Sequence, residues 1–499
     1  MTRQLDFFAD ELKRLGDRRR SFLEIDRRAG QFPSATSRRG AGDADHEISV
    51  WCSNDYLGMG QHPVVLEAVK TAVDAVGAGS GGSRNIGGTS QFHVLLEQEL
   101  AALHRKEAAL LFVSGYAAND GALTVLTGRM PGTLVFSDEL NHASIIDGLR
   151  HGGAEKRIFR HNDTGHLAEL LAAAHPDRPK LIVLESVYSM SGDVAPLAEV
   201  SELAARYRAV TFLDEVHAVG LYGPEGAGIA AREGLAEDFT IVMGTLGKGF
   251  GTAGGYIAGP AVLVEAVRAF SRPFIFTTSM PPATAAGALA AVRHLRSSEY
   301  ERTRLRENTQ LLHRLLTERG IPFLSARSHI VSVPVGDDLL CRRASALLLQ
   351  GHGIYVQAIN LPSVRPGDEL LRVAPSATHT THDVRTFAEA LDDVWTELGI
   401  PRPVHPRPPP APRTARPAVP PGADTAHPCH STRTREADHQ MSTRIPVSAV
   451  LEPHQGWDYE QILSFAQAAE KAGFDGLFLA DHYLAEETSP VTSARPTPG

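Results

Sequence analysis

The sequence predicts an α/β protein, a mostly parallel sheet covered on both faces in a large domain, followed by a smaller α+β lobe. Three observations carry this. The strand-like runs 109–113, 181–185, 210–213 and 241–243 are short and mostly apolar, as strands buried on both faces are. Amphipathic stretches separate them, with 200–207 between the middle pair, which is the spacing of βαβ units. Beyond residue 322 the pattern changes: shorter strand-like runs, 330–335, 353–356 and 370–373, mix with helical ones up to Trp395.

Composition sets the class. The 499 residues are 42% hydrophobic and 21% charged, with a formal charge of −9, which fits a soluble globular chain. No apolar run approaches the roughly 18 residues of a membrane span, so no membrane contact is expected. The first twenty residues mix acids and bases without an apolar core, so no secretory signal is expected there. Cys52, Cys341 and Cys429 are too scattered for a disulfide framework or a local metal motif, which points to a reducing, cytoplasmic compartment and no metal. Mild acidity spread along the chain gives no footprint for nucleic acid.

The prolines mark a boundary. Ten of the 32 fall in 401–421, with four arginines and no acid. Such a stretch has nothing to bury and favours extended polyproline conformation. The expected organisation is an N-terminal segment (1–50), a large domain (51–295), a small lobe (296–400), a linker (401–440) and a tail (441–499). The tail reads strand (445–451), helix (459–472), strand (476–480).

The candidate chemistry lies at strand ends. The Gly-rich run 77–90 contains a formal G-x-G-x-x-G, but a helical stretch (64–76) precedes it where a dinucleotide site needs a strand. Ser114-Gly115-Tyr116 follows the strand 109–113 and opens a helix (117–126), so its backbone N–H groups suit a phosphate. Alone this is an ordinary strand-to-helix turn. Asp214 ends one strand, and Lys248 follows 34 residues later, just past the next. A carboxylate and a lysine so placed converge at the carboxyl edge of a parallel sheet, where ligands bind. Pyridoxal phosphate needs this set: a lysine for the Schiff base, a carboxylate on the pyridinium nitrogen, and a helix start for the phosphate. His142 follows another strand-like run, 133–136; it is either a turn histidine or a ring that stacks on the pyridine.

Together these motifs resemble the α-oxoamine synthases, pyridoxal-phosphate enzymes that join an amino acid to an acyl-CoA, and within them the 5-aminolevulinate synthases. The resemblance covers residues 12–398. It rests on the motifs at 51–58 (WCSNDYLG), 81–86 (GGSRNI), 185–190 (ESVYSM), 214–220, 245–251 and 274–279 (FIFTTS). It implies the type I fold of pyridoxal-phosphate-dependent transferases and a homodimer with shared sites. It implies glycine and succinyl-CoA as substrates. By resemblance, Lys248 carries the cofactor and takes the glycine Cα proton, Asp214 pairs with the ring nitrogen, His217 with the ring 3-oxygen, and His142 stacks. Gly115, Tyr116, Ser189 and Thr245 complete the cofactor site of one subunit, and Thr277 and Thr278 reach in from the other. Arg372 clamps the amino-acid carboxylate. Arg20, Asn54, Asn85, Ile86, Ser137 and Lys156 match positions at the acyl-CoA.

Four departures bear on this. Ser83 and Ser363 stand where the resemblance implies threonine, Arg365-Pro366 reverses a proline–arginine pair, and Ser191 replaces an aspartate. The first three touch acyl selection, so sibling synthases using another acyl-CoA stay open: 8-amino-7-oxononanoate synthase or glycine C-acetyltransferase. A non-catalytic partner subunit and a bifunctional synthase–monooxygenase compete with a single catalytic synthase. The tail resembles the first βαβ unit of luciferase-like monooxygenases and is expected to be a truncated fragment, since one unit cannot close their barrel.

Overall fold

The computed structural model describes residues 2–16, 22–38, 46–361, 363–402, 448–451 and 476–479. The chain forms two compact units, Met1–Ala415 and Arg416–Gly499.

In the first unit a seven-stranded sheet runs in the order Ala108–Phe112, Gly255–Gly259, Ile241–Thr245, Val210–Asp214, Lys180–Glu185, Leu134–Asp138, Glu155–Phe159. The last five are parallel neighbours. Every residue of Leu134–Asp138, Lys180–Glu185 and Ile241–Thr245 is buried, which explains their apolar centres, with polar residues only at the strand ends. Glu155–Phe159 lies at the edge and is largely exposed.

One strand breaks the parallel expectation. Gly255–Gly259 runs antiparallel to both neighbours. Residues 246–254 alone connect it to Ile241–Thr245, too short a link for a crossover helix, so the chain must double back. That short return carries Lys248.

The smaller lobe has a three-stranded antiparallel sheet, in the order Val331–Pro334, Leu370–Val373, Gln357–Ile359. Its core gathers Leu312, Leu316, Phe387, Leu391 and Trp395, together with Trp51 from the N-terminal part of the chain. The run 353–356 does not join that sheet as expected. Ile354–Tyr355 pairs in parallel with His46–Val50, beside the hairpin Glu24–Arg27 and Ser34–Arg38. The chain changes sheets at Val356.

In the second unit, Ser448–Leu451 and Gly476–Leu479 pair in parallel. The expected helix 459–472 and the linker beyond residue 402 lie outside the described residues.

Candidate active site

The strands Val210–Asp214 and Ile241–Thr245 end at the same edge, with Asp214 opposite Met243 in register. Lys248 lies three residues past Thr245, and Glu185 is the register partner of Asp214 on the other side. The parallel arrangement therefore brings both carboxylates and the lysine to one sheet edge. Asp214 is buried. Its Oδ2 accepts from Asn119 Nδ2 at 2.8 Å, and its Oδ1 accepts from the backbone N–H of Val216 at 2.8 Å. Burial pushes its carboxyl above the ordinary value, opposed by those two donors. Glu185, fully enclosed, accepts from the backbone N–H of His142 at 2.6 Å; burial and the charge of Asp214 raise it well above the carboxylate range.

Lys248 Nζ donates to His217 Nε2 at 2.7 Å. Burial holds the lysine down to about 7, helped by the charge of Arg372 and opposed by Asp214 and Glu185. The same enclosure and the lysine's charge push His217 well below its usual value. His217 is thus neutral. Its Nε2 accepts, which assigns the proton to Nδ1, 2.9 Å from Tyr56 Oη. Tyr56 Oη also accepts from Arg372 Nη2 at 3.1 Å and donates to Asn54 Oδ1 at 2.9 Å. Arg372 Nε donates to the carbonyl of Ser189 at 2.8 Å and Nη1 to Asn54 Oδ1 at 3.3 Å. The rest of its planar fork remains for a carboxylate. One connected network therefore runs from the lysine through His217 and Tyr56 to the arginine.

His142 heads the helix Ala143–Gly152, its Nδ1 accepting from the N–H of Ser144 at 3.2 Å. Burial lowers its pKa, with Asp214 opposing. Ser114 caps the helix Gly115–Gly128 by accepting from the N–H of Ala117 at 3.1 Å. The first intrahelical bond is Ala118 N–H to the Ser114 carbonyl, so the N–H groups of Gly115 and Tyr116 precede it, as an anion site requires. A Cβ on Gly115 would lie 3.3 Å from Met243 Cε and 3.4 Å from Thr245 Oγ1, so the backbone approaches both closely.

Other expected residues fall elsewhere. Only the backbone of Tyr116 faces this role; its hydroxyl bonds to Asp147. Thr245 Oγ1 is engaged inside its own loop, donating to the Gly254 carbonyl at 2.9 Å and accepting from Gly247 N–H at 3.2 Å. Ser189 meets Arg372 through its carbonyl. Ser137 is buried and accepts from Asn141 Nδ2 at 2.9 Å. Lys156 is exposed on the edge strand, and Ser363 is exposed with its N–H bonded to the Asn360 carbonyl at 2.9 Å. Arg20 lies outside the described residues.

Ser83, Asn85, Ile86, Thr277 and Thr278 belong to one surface. Ser279 ties their two segments together, N–H to the Gly82 carbonyl at 3.0 Å and Oγ to the Gly88 carbonyl at 2.6 Å. Arg84 braces the loop through Glu97, Nη1 to Oε1 at 2.8 Å and Nη2 to Oε2 at 3.1 Å. Ile86 stands 72% exposed there, a large apolar side chain left open among the described residues.

Tyr56, Asn119, Glu185 and His329 carry parts of the site that the motif reading left without a role. His329 packs edge-on against Tyr56, ring centroids 4.2 Å apart, and pairs through Nδ1 with Tyr222 Oη at 2.9 Å. A polar residue such as Asn119, placed mid-helix among small apolar ones, is the signal available for it in the sequence.

Comparison with known proteins bears on this arrangement. The 5-aminolevulinate synthase of Rhizobium meliloti (strain 1021) is 52% identical over 400 residues, covering 80% of this chain and 98% of its own. The chain belongs to the 5-aminolevulinate synthase family. Residues 46–391 also match the aminotransferase class I and II family. A more distant member of the synthase family, the erythroid-specific mitochondrial enzyme of Bos taurus, is 48% identical over 79% of this chain and 68% of its own. Among solved structures, a serine palmitoyltransferase with its PLP internal aldimine is 32% identical, covers 80% of this chain and 99% of its own, and superposes with a TM-score of 0.74. A serine palmitoyltransferase variant from S. paucimobilis with a bound PLP–myriocin aldimine also reaches 0.74, at 33% identity over 80% of this chain and 99% of its own.

The cleft of this synthase-family chain fits a pyridoxal phosphate. Asp214 is a buried carboxylate with amide donors but, among the described residues, no ion-pair partner within contact, and a protonated ring nitrogen supplies one. Lys248 is the amine a carbonyl group needs, and the Gly115–Tyr116 helix start suits its phosphate.

Proposed function

We propose that the chain condenses glycine with succinyl-CoA to 5-aminolevulinate, releasing CoA and CO2, with pyridoxal phosphate held by Asp214, His217, His142, Lys248 and the Gly115–Tyr116 turn. The observation that carries this is the network joining Lys248, His217, Tyr56 and Arg372: it sets a near-neutral amine and a carboxylate-binding fork on one chain of hydrogen bonds. When bound, the cofactor supplies an electron sink for charge developing at the glycine Cα.

The residues around it have separate tasks. Arg372 takes the glycine carboxylate through its free N–H groups, which orients the Cα hydrogens. Lys248, held near neutrality by burial and by Arg372, accepts a Cα proton at Nζ; a base is most effective when its pKa lies near the working pH. His217 Nε2 receives the lysine's hydrogen bond and keeps Nζ directed into the cleft. His142, kept neutral by burial, has a ring available over the cofactor and an N–H for a substrate carbonyl oxygen. Asp214 stays anionic only against a cation, so the ring nitrogen must carry its proton.

The acyl side rests on weaker contacts. Asn54, bonded to both Tyr56 and Arg372, borders a cleft of about 590 Å³ that also reaches Arg27, Ser53 and Asp55. We read Ser83, Asn85, Ile86, Thr277 and Thr278 as facing a second copy of the chain. Their shared exposed surface supports a homodimer whose sites draw on both subunits.

The test is product identification. Holoenzyme supplied with glycine and, in turn, succinyl-, acetyl- and longer acyl-CoA thioesters is expected to favour succinyl-CoA at least about tenfold in kcat/KM and to yield 5-aminolevulinate with CO2. A tenfold preference corresponds to about 1.4 kcal/mol, what one well-formed charged contact to the distal carboxylate provides. Preference for acetyl-CoA with retention of the same chemistry moves the assignment to a sibling synthase. The segment 401–499 takes no part in this account. Limited trypsin cleavage after Arg413 is therefore expected to leave turnover of the 1–413 fragment within about twofold of the intact chain, a range of roughly 0.4 kcal/mol; loss of activity would assign the tail a role.

A further inference from the structure

His161, which follows the strand Glu155–Phe159, sits between two carboxylates. Its Nδ1 is 3.0 Å from Asp138 Oδ1 and its Nε2 3.5 Å from Asp193 Oδ2. Asp138 is buried at the end of Leu134–Asp138, whereas Asp193 is partly exposed in the segment after Lys180–Glu185. That segment is a tight hairpin: Val187 bridges Val194, Tyr188 N–H donates to the Asp193 carbonyl at 3.0 Å, and the Tyr188 ring stands edge-on to His161 at 4.4 Å.

The hairpin is one of the contacts that join the two lobes. The Ser189 carbonyl accepts from Arg372 Nε at 2.8 Å. The Met190 carbonyl accepts from Ser332 Oγ, and Ser332 is the cross-strand register partner of Arg372. The Gly192 carbonyl accepts from Ser328 Oγ at 2.8 Å. One carbonyl of the hairpin thus holds Arg372 directly and the next holds its cross-strand neighbour Ser332, and His161 fastens that hairpin to the sheet edge.

We propose that His161, as an imidazolium, is a positioning residue for the amino-acid substrate: paired with Asp138 and Asp193, it fixes the 186–194 hairpin and through it the orientation of Arg372. This rests on the reading of Arg372 as the glycine carboxylate clamp.

The groups facing His161 favour the cation. Asp138, Asp193 and Glu139, whose Oε1 accepts the His161 backbone N–H at 3.0 Å, are acidic. Arg160 is occupied with Asp163, and the charge of Arg327 acts on Asp193. The amide of Asn162 lies 3.1 Å from Nε2 and presents its oxygen to an imidazolium once turned. Burial pushes His161 down, but the bonds and charges of Asp138 and Asp193 outweigh it and lift the group to about 9. Because this value lies above the roughly 6.5 of an unfolded histidine, the clamp is fully present below about pH 6.5 and is lost as pH rises through about 9.

The test is glycine binding to the pyridoxal-phosphate-loaded enzyme, read from the cofactor's absorbance across pH 7 to 10, for wild type, Asp193→Asn and His161→Gln. Asp193→Asn removes a partly exposed carboxylate and leaves the buried pair, so folding is preserved. It is expected to weaken glycine binding about tenfold at pH 7.5, the effect of one lost charged hydrogen bond. It should also start the alkaline loss of affinity about one pH unit below wild type, since one of the two carboxylates is gone. His161→Gln should show the same weakening with no step beyond glycine's own titration, while the KM for succinyl-CoA stays within about twofold for both. Wild type that binds glycine, with Asp193→Asn binding it equally well and with an unshifted alkaline limb, overturns this inference alone. Wild type that fails to bind glycine overturns the reading of the site, and this inference with it.

Discussion

Replacing Lys248 with alanine is expected to abolish turnover, by at least about 10⁴-fold in kcat. Loss of a positioned base alone accounts for about 10² to 10⁴, and loss of the amine that engages the cofactor adds to it. The alanine also removes the donor to His217 Nε2, leaving that nitrogen free in a buried site. Added ethylamine should recover part of the rate, since a small amine fits the space of the deleted side chain. The measurement is CoA release from glycine plus succinyl-CoA. Release at the wild-type rate by the variant would remove Lys248 from the mechanism.

Asp214→Asn carries the second large effect. The carboxylate is buried, with Asn119 and the Val216 N–H donating to its two oxygens. An amide at this position offers an N–H where Asn119 or Val216 already presents one, and carries no charge to match a protonated ring nitrogen. Removing one member of a buried charge pair costs about 3–5 kcal/mol, or roughly 10²- to 10⁴-fold in the property that depends on it. Both cofactor affinity and kcat should fall. Equilibrium dialysis against pyridoxal phosphate measures the first and CoA release the second. The loss of Asp214 also lowers Lys248 further, because its charge opposes the downward push of burial. A variant that binds cofactor and turns over like wild type contradicts the assignment of Asp214 to the ring nitrogen.

Much of this site is legible in the sequence alone. Asp214 and Lys248 lie at the carboxyl ends of adjacent apolar runs, and in a parallel sheet such ends must meet. The helix start at Gly115 is legible for the same reason, because a strand followed by Ser-Gly and a helical stretch leaves free N–H groups. What strand patterns do not carry is lateral pairing. The antiparallel return of Gly255–Gly259 follows from the length of 246–254 rather than from its composition. The excursion of Ile354–Tyr355 into the N-terminal sheet has no local signal, since its apolar residues serve either sheet equally. Tyr56 and His329 are hidden differently. Their polar atoms meet Arg372, His217 and Tyr222 from distant parts of the chain, so their roles exist only after the lobes pack.

The two lobes also explain why the acyl side is harder to read than the amino-acid side. The guanidinium of Arg372, proposed to bind glycine, is anchored within one chain, by Ser189, Asn54 and Tyr56. Ser83, Asn85 and Ile86 instead stand on a loop whose Asn85 and Ile86 are exposed, and the proposal has that loop face a second copy. Ser83 donates to Asn85 Oδ1 at 2.8 Å, which already pre-sets the loop's polar tip. The threonine-to-serine departures remove methyl groups without removing hydroxyls, so if the two serines border the acyl chain as the resemblance implies, the expected change is in shape more than in hydrogen bonding.

The central claim is that Lys248 removes a proton from glycine held by Arg372. It is tested most directly by hydrogen exchange at the glycine Cα. Holoenzyme is placed in D2O with glycine and no acyl-CoA, and the Cα proton signal is followed by NMR. The account predicts steady loss of that signal with wild type and none with Lys248→Ala. Exchange at the wild-type rate in the variant, or no exchange in wild type that binds glycine, would contradict it.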